Sequence, residues 1–430
     1  MPEEFPFSIS PSDQIGLLRS KFRQHEVSDV GTIASGYRHL KQLQIEDGVW
    51  CYDIYTQNGS DSSGIVVNHA NGRTDECIIW PLNHYLALNR NPLVIQAAKE
   101  ALEHYGAGCG TSAMSGGHNH LHKRLEKMLA ETFKKESSIL FTTGYSANVG
   151  ALSGLAKGSK NLILIDRDAH ASLIDGCKLA GCKYLPFKHN SIADLEKKLD
   201  KYSSKFDNIF VVVESVYSMS GNHSPLEEIV GLRDKYGFLL FVDEAHGFGI
   251  YASNGGGRCV DLGISDKVDF IMTTLSKATG SIGGVVATSR DFTTMLQVEA
   301  NAYLFQAALP PADTAAVIAA MEIISNDRSH VEGLWKKTKF FRKSLASLGF
   351  DVGSGESPII PVYVRDSEKL LNMGKEMLDH GIFTTSVAYP VVNHKEVRFR
   401  FILNASHTEA QIKRTLEVLI QLGRKYNLIS

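Results

Sequence analysis

The chain lacks most of the features that mark a secreted, metal-bound or membrane-embedded protein. Its six cysteines include no Cys-x-x-Cys pair. Neither a disulfide framework nor a zinc knuckle is therefore expected, and a reducing, cytoplasmic setting is the simplest one. No apolar run approaches the roughly 18–20 residues that span a bilayer. Met1 to Ser10 carries Glu3, Glu4 and two prolines with no continuous apolar core, unlike a signal peptide. Net charge is scarce too. Lys and Arg number 45 against 47 Asp and Glu, a balance of −2, which gives no electrostatic reason to expect nucleic acid or an anionic membrane as partner. Internal repeats and low-complexity tracts are also missing. What is there is 430 residues of ordinary globular composition, enough for two domains around sizeable cores.

The first eighty residues carry weak signals. A helical pattern over Ser12–Gln24 precedes a polar stretch, Gln57–Gly72, that suits a loop or weak hairpin. From Pro92, which opens an amphipathic helix, the pattern sharpens. Short apolar runs alternate with helical periodicity: Ser138–Thr142, Asn161–Ile165, Asn208–Val213, Phe238–Val242, Val268–Thr273 and Gly284–Ala287. They show no polar alternation, as strands buried on both faces do not. Helical segments such as Asn148–Ala156 and Leu226–Tyr236 lie between them. The alternation predicts an α/β domain with a mostly parallel sheet, and ligands at the carboxyl ends of its strands. After Pro310-Pro311 the pattern changes to helices over Thr314–Asn326, Val331–Leu348, Ser367–His380 and Thr408–Leu422, with strands at Ile359–Val364 and Val397–Leu403. This is a smaller α+β domain. The expected division is 1–82 as an N-terminal arm or small-domain segment, 83–311 as the large domain and 312–430 as the C-terminal small domain.

Two strand ends carry the chemistry. Phe238-Leu239-Leu240-Phe241-Val242 runs into Asp243-Glu244-Ala245-His246-Gly247. A carboxylate at a dry strand's end must be paired there, because an isolated buried charge is unfavourable; alternatively Asp243 caps a turn. The next strand leads into Thr274-Leu275-Ser276-Lys277-Ala278-Thr279-Gly280. Burial lowers an amine's pKa and suits Lys277 to form an imine, while hydroxyls and glycine N–H groups suit a phosphate. On neighbouring strands, Asp243 and Lys277 match what pyridoxal 5′-phosphate needs: an acid on the pyridine nitrogen, and an amine holding the aldehyde as a Schiff base. Phe141-Thr142-Thr143-Gly144-Tyr145 is a strand, a turn and a helix start whose N–H groups suit a phosphate. His170 follows another strand end, where an imidazole suits stacking on a ring; singly it reads as a hydrogen-bonded histidine. His118, His120 and His122 invite a metal reading, with His118 and His122 on one face of a helix. No acidic or Cys partner is near in sequence and zinc wants three or four ligands, so no metal is expected.

In this order and spacing, from Asn83-His84-Tyr85-Leu86 to Arg400 and His407, the chain resembles the α-oxoamine synthases, the fold-type I pyridoxal-phosphate acyltransferases. The resemblance implies a large domain with a mostly parallel seven-stranded sheet sandwiched by helices, plus the smaller α+β domain. It implies that Lys277 carries the cofactor, with Thr274 and the Gly144 and Tyr145 N–H groups on the phosphate. Asp243 would pair with the pyridine nitrogen, His246 with the phenolic oxygen, and His170 would stack on the ring. Glu214 and Ser218 would line the pocket, Asn83 and His122 would face the substrates, and Arg400 would clamp the amino acid's carboxylate, with Arg398 as second choice.

The implied reaction condenses glycine, alanine or serine with an acyl thioester, on coenzyme A or a carrier protein, with decarboxylation to an α-amino ketone. The implied assembly is a homodimer with active sites at the interface. Another fold-type I enzyme, an aminotransferase or aldolase, is the alternative, and a non-catalytic partner subunit a further one, against which the intact Lys277, Asp243 and His170 argue. The sequence departs from the family pattern at Phe305-Gln306-Ala307-Ala308-Leu309-Pro310-Pro311, where hydroxyl residues contributing to a partner's phosphate site are replaced. It departs again at Ser115–His122, one residue longer than usual, and in the long N-terminal region Val27–Glu76.

Overall fold

The computed structural model describes residues 5–50, 52–68 and 71–430. Its central feature is a sheet of seven strands: β1 (Ser137–Phe141), β2 (Asn161–Asp166), β3 (Lys183–Phe187), β4 (Asn208–Glu214), β5 (Leu239–Asp243), β6 (Phe270–Thr274) and β7 (Gly284–Thr288). They lie in the order β1-β7-β6-β5-β4-β2-β3. All neighbouring pairs are parallel except those of β7, which runs antiparallel to β1 and β6. The sheet is the mostly parallel seven-stranded one expected.

Successive side chains of a strand point to opposite faces, and here both faces are dry. Leu162, Leu164, Val211, Val213, Leu240 and Val242 enter one core, and Ile163, Ile165, Phe210, Val212, Phe241 and Met272 the other. Helices cover both faces. The unforeseen strand, β3, sits at the sheet's edge, where half-exposed Tyr184 and Leu185 and the proline at 186 hide the apolar signal; proline is tolerated only where a ladder partner is dispensable.

By compactness the chain forms a larger unit, Asn83–Ser218 with Asn222–Gly333, and a smaller one, Met219–Gly221 and Leu334–Ser430 with the described residues before Asn83. The division differs from the one drawn at residue 311. The helix Pro311–Asn326 buries Val317, Ile318 and Met321 in the larger unit's core, so it counts with that unit. The smaller unit holds an antiparallel sheet of Ile359–Tyr363, Arg398–Ile402 and Thr385–Val387. A second sheet orders Ile54–Thr56, Ser63–Asn68, Thr74–Ile79 and Ile382–Phe383. Gln57–Gly72 thus contributes a strand, and the helix Val30–Glu46, which the sequence did not announce, packs Leu40 and Tyr37 against Leu18 and Phe22. Among the described residues no helix is long and apolar enough to cross a membrane.

Trp80 anchors the smaller unit. It is fully buried, stacks on Phe341 at 4.8 Å and on His407 at 4.3 Å, and donates from Nε1 to Thr415 Oγ1 at 3.2 Å. His407 is itself buried, accepting from the Asn404 N–H at Nδ1 (3.0 Å) while Nε2 faces the Ile79 carbonyl at 3.1 Å. Burial pushes its pKa down to about 4 from 6.5. A base whose folded pKa is depressed keeps its full contribution above the unfolded value and loses it as pH falls toward the folded value. Stability should therefore decline from about pH 6.5 toward pH 4, and His407→Gln should flatten that limb in denaturant melts recorded across the range.

Candidate functional site

The carboxyl ends of β2, β4, β5 and β6 lie on one rim of the sheet, and β1 ends there too because β7 reverses twice between neighbours. A cavity of about 340 Å³ opens at this rim, lined by residues that include Gly144, His170, Glu214, Asp243, His246 and Lys277. That volume falls at the low end of ligand pockets, roughly 300–1,000 Å³.

Glu214 and Asp243 end neighbouring strands and are register partners, 3% and 4% exposed. Two carboxyl groups so close and so dry are not readily both ionised. Burial, and next the charge of Asp243, push the Glu214 carboxyl well above its usual range, while Lys277 pulls it back. Glu214 Oε1 accepts the His170 backbone N–H at 2.5 Å. Asp243 is held differently: Oδ2 accepts from Asn148 Nδ2 at 2.8 Å and Oδ1 from the Ala245 N–H at 2.8 Å.

Lys277 is half-buried, with its Nζ 2.7 Å from His246 Nε2. The other nitrogen of that ring lies 2.6 Å from the hydroxyl of fully buried Tyr85. His170 caps the helix Ala171–Ala180, its Nδ1 2.7 Å from Ser172 Oγ, and leaves its ring exposed at the cavity. At the opposite wall the helix Gly144–Leu155 begins behind a Thr143 capping box. The first N–H groups of a helix have no partner within it and favour an anion. Gly144 is required there: a Cβ would stand 2.6 Å from Thr274 Cβ. A Cβ on Gly284 would likewise stand 2.3 Å from the Thr143 carbonyl oxygen. Thr274 Oγ1 and Ser276 Oγ lie 2.8 Å apart beside this helix start.

The donor set fits pyridoxal phosphate. An amine for an aldehyde, a carboxyl group for a ring nitrogen, an imidazole for a phenolic oxygen, and hydroxyls with a helix start for a phosphate converge on one cavity. Two residues essential to this geometry drew no role from the sequence: Asn148, 2% exposed, and Tyr85. Asn148 opens the helical pattern Asn148–Ala156 and Tyr85 sits in the segment where the resemblance starts, so both were visible but their long-range partners were not.

The other expected site residues are divided between this cavity and other places. Ser218 is not among the residues lining the cavity, and neither is Asn83, whose Oδ1 is buried with no hydrogen-bond partner. Tyr145 lines it, with its exposed phenol donating to Asp175. The expectation that His122 faces a substrate is corrected. His122 is fully buried, its Nδ1 accepting the Asn119 N–H at 3.0 Å and its Nε2 2.7 Å from the Leu309 carbonyl. It locks the start of the helix His120–Phe133, with the His118 ring stacked on it at 4.5 Å. Arg400 and Arg398 belong to the smaller unit. Arg398, 3% exposed, is committed to the Glu396 and Met219 carbonyls and the Tyr363 hydroxyl, whereas Arg400 reaches Met219 Sδ at 3.9 Å.

The fold and this rim define a fold-type I pyridoxal-phosphate transferase. Comparison with known proteins agrees: the family model for aminotransferase class I and II matches residues 75–419. The serine palmitoyltransferase of Sphingobacterium spiritivorum is 38% identical over 353 residues, covering 82% of this chain and 88% of that one. The 8-amino-7-oxononanoate synthase of Alkaliphilus metalliredigens is 34% identical over 347 residues, covering 81% and 88%. A solved Sphingomonas wittichii serine palmitoyltransferase superposes with a TM-score of 0.88 at 29% identity, covering 94% of this chain and all of that one. A solved SPT with a PLP internal aldimine gives 0.87 at 30% identity, covering 93% and 100%. The chain belongs to the α-oxoamine synthase family, and it is a pyridoxal-phosphate-dependent acyltransferase.

Removing the Asn148 amide leaves one buried Asp243 oxygen without its donor, and hydrogen bonds to charged groups are worth about 1.5–3 kcal/mol. Asn148→Ala should lower unfolding stability by about that amount in denaturant melts. It should also weaken cofactor retention on dialysis relative to wild type.

Proposed function

We propose that the cavity at Lys277 catalyses the decarboxylative condensation of a small amino acid with an acyl thioester, releasing carbon dioxide and the free thiol and leaving an α-amino ketone. One observation carries it: Lys277 and Asp243, from consecutive segments of the sheet, line the same cavity with His246 bonded to the lysine. Serine and a palmitoyl thioester are the favoured substrates, supported by the names of the serine palmitoyltransferases among the relatives.

Bound there, pyridoxal phosphate supplies an aldehyde for the substrate amine and a ring that takes up electron density from the α-carbon. Lys277 holds the cofactor, and its amine, once released, takes the proton from the substrate's α-carbon. Asp243, its two oxygens fixed by Asn148 and the Ala245 N–H, would face the ring nitrogen. His246 would bond the phenolic oxygen and His170 would lie against the ring. The Gly144 and Tyr145 N–H groups and the Thr274 hydroxyl would take the phosphate, and Glu214 would complete the surroundings. Arg400 clamps the substrate carboxylate and Asn83 faces the substrates. A planar guanidinium meets a carboxylate through two parallel bonds, which fixes the orientation of the scissile bond. The enzyme works as a homodimer with shared sites, a reading supported by Phe305, 83% exposed, and Met114, 50% exposed, on segments joined by a Ser112–Ala307 bridge.

Lys277→Ala should abolish both the cofactor's imine absorbance and turnover; retention of either overturns the assignment. Arg400→Lys should raise KM for the amino acid about tenfold or more, a bidentate pair being lost, with a smaller effect on the thioester's KM. Spectral titration with glycine, alanine and serine, followed by thiol and carbon dioxide release on adding palmitoyl thioester, tests the substrates. Formation of a 2-oxo acid without thiol release would show an aminotransferase instead.

A further inference from the structure

We propose that Tyr85 is a positioning residue for Lys277, acting through the tautomer of His246. The inference rests on the reading of Lys277 given above and deepens it.

Three side chains from three separated segments form one chain of contacts. The Tyr85 hydroxyl lies 2.6 Å from His246 Nδ1, and His246 Nε2 lies 2.7 Å from Lys277 Nζ. Tyr85 is fully buried and His246 is 5% exposed, with the rings edge to face at 6.1 Å. In so dry a place a phenol hydrogen needs a protein acceptor, and Nδ1 stands at short hydrogen-bonding distance. A neutral imidazole has one donor and one acceptor nitrogen. With the phenol donating to Nδ1, the ring proton sits on Nε2 and points at Lys277. The lysine then meets a donor, which its neutral amine accepts and its ammonium does not. The same Nε2–H is suited to an anionic oxygen beside that amine. With the opposite tautomer, Nε2 would offer a lone pair and favour the ammonium. Tyr85 therefore biases Lys277 toward the form that can act as nucleophile and base, without touching the reacting atoms.

Other ionisable groups set the background. Asp243 and Glu244 precede His246 on its own segment, Glu214 faces from β4, and His170 lies at the cavity's exposed side. Tyr251 lies close enough to Tyr85 to feel its charge. None of these changes when only the Tyr85 hydroxyl is removed.

The test is the pH dependence of the visible absorbance of purified holoenzyme, which reads the protonation of the Lys277 nitrogen within its imine, beside the same His246 Nε2, and not turnover. Tyr85→Phe keeps the ring and removes the donor. A neutral hydrogen bond is worth roughly 0.5–1.5 kcal/mol, so the midpoint should rise by about 0.4–1 pH unit. In a His246→Asn background the same substitution should shift nothing. Site-specific 3-fluorotyrosine at 85, a more acidic phenol of the same shape, should move the midpoint down, and this variant serves if Tyr85→Phe does not accumulate. An unchanged midpoint in Tyr85→Phe or the fluorinated variant overturns the proposal, as does an equal shift without His246. If wild-type protein with added cofactor shows no absorbance that depends on Lys277, the underlying cofactor reading fails instead.

Discussion

Two carboxyl groups placed side by side at the dry end of a sheet are the constraint around which the larger unit is built. Glu214 and Asp243 are fixed opposite each other by strand register, and neither can move away without breaking the ladder. Repulsion between them must be relieved by protonation and by donors. The structure uses both: the Glu214 carboxyl is pushed toward its neutral form, and Asn148 and the Ala245 N–H hold Asp243. An amine kept near carboxyl groups in a cavity with one dry side is also the group that an aldehyde cofactor requires. The arrangement that makes the site tolerable and the one that makes it reactive are thus the same.

Much of the sheet was legible because its strands are buried on both faces and so read as unbroken apolar runs. The six runs named from the sequence each fall on a strand, with ends differing by only a few residues. The edge strand Lys183–Phe187 was not legible, since half its side chains face solvent and no periodicity marks it. The helix Val30–Glu46 was hidden for a related reason. Its buried face is thin, with Gly36, Leu40 and Gln44, and its start is signalled only by the Asp29 cap.

For the site, the residues at strand ends could be named from local pattern, because a polar residue abruptly ending an apolar run is itself unusual. Lys277, Asp243 and His170 come together at one cavity in that way, joined by Glu214, which only the family resemblance had named. What local pattern could not supply was pairing across long stretches of chain. Tyr85 and His246 are separated by 161 positions, and Asn148 and Asp243 by 95. His122 shows the converse. Three alternating histidines look like chemistry in a linear sequence, but His122 is spent on a helix cap and a backbone carbonyl 187 positions away.

The edge strand that escaped notice has a bearing on how the protein behaves in a crowded solution. An open parallel sheet ends in a row of backbone groups that can template another chain's strand. Here that margin carries a solvent-facing lysine at 183 and, at 186, a residue with no amide hydrogen to offer. Any stray strand approaching from outside meets a solvated charge that it would have to strip of water and a gap in the ladder, so the sheet stops growing at its own border.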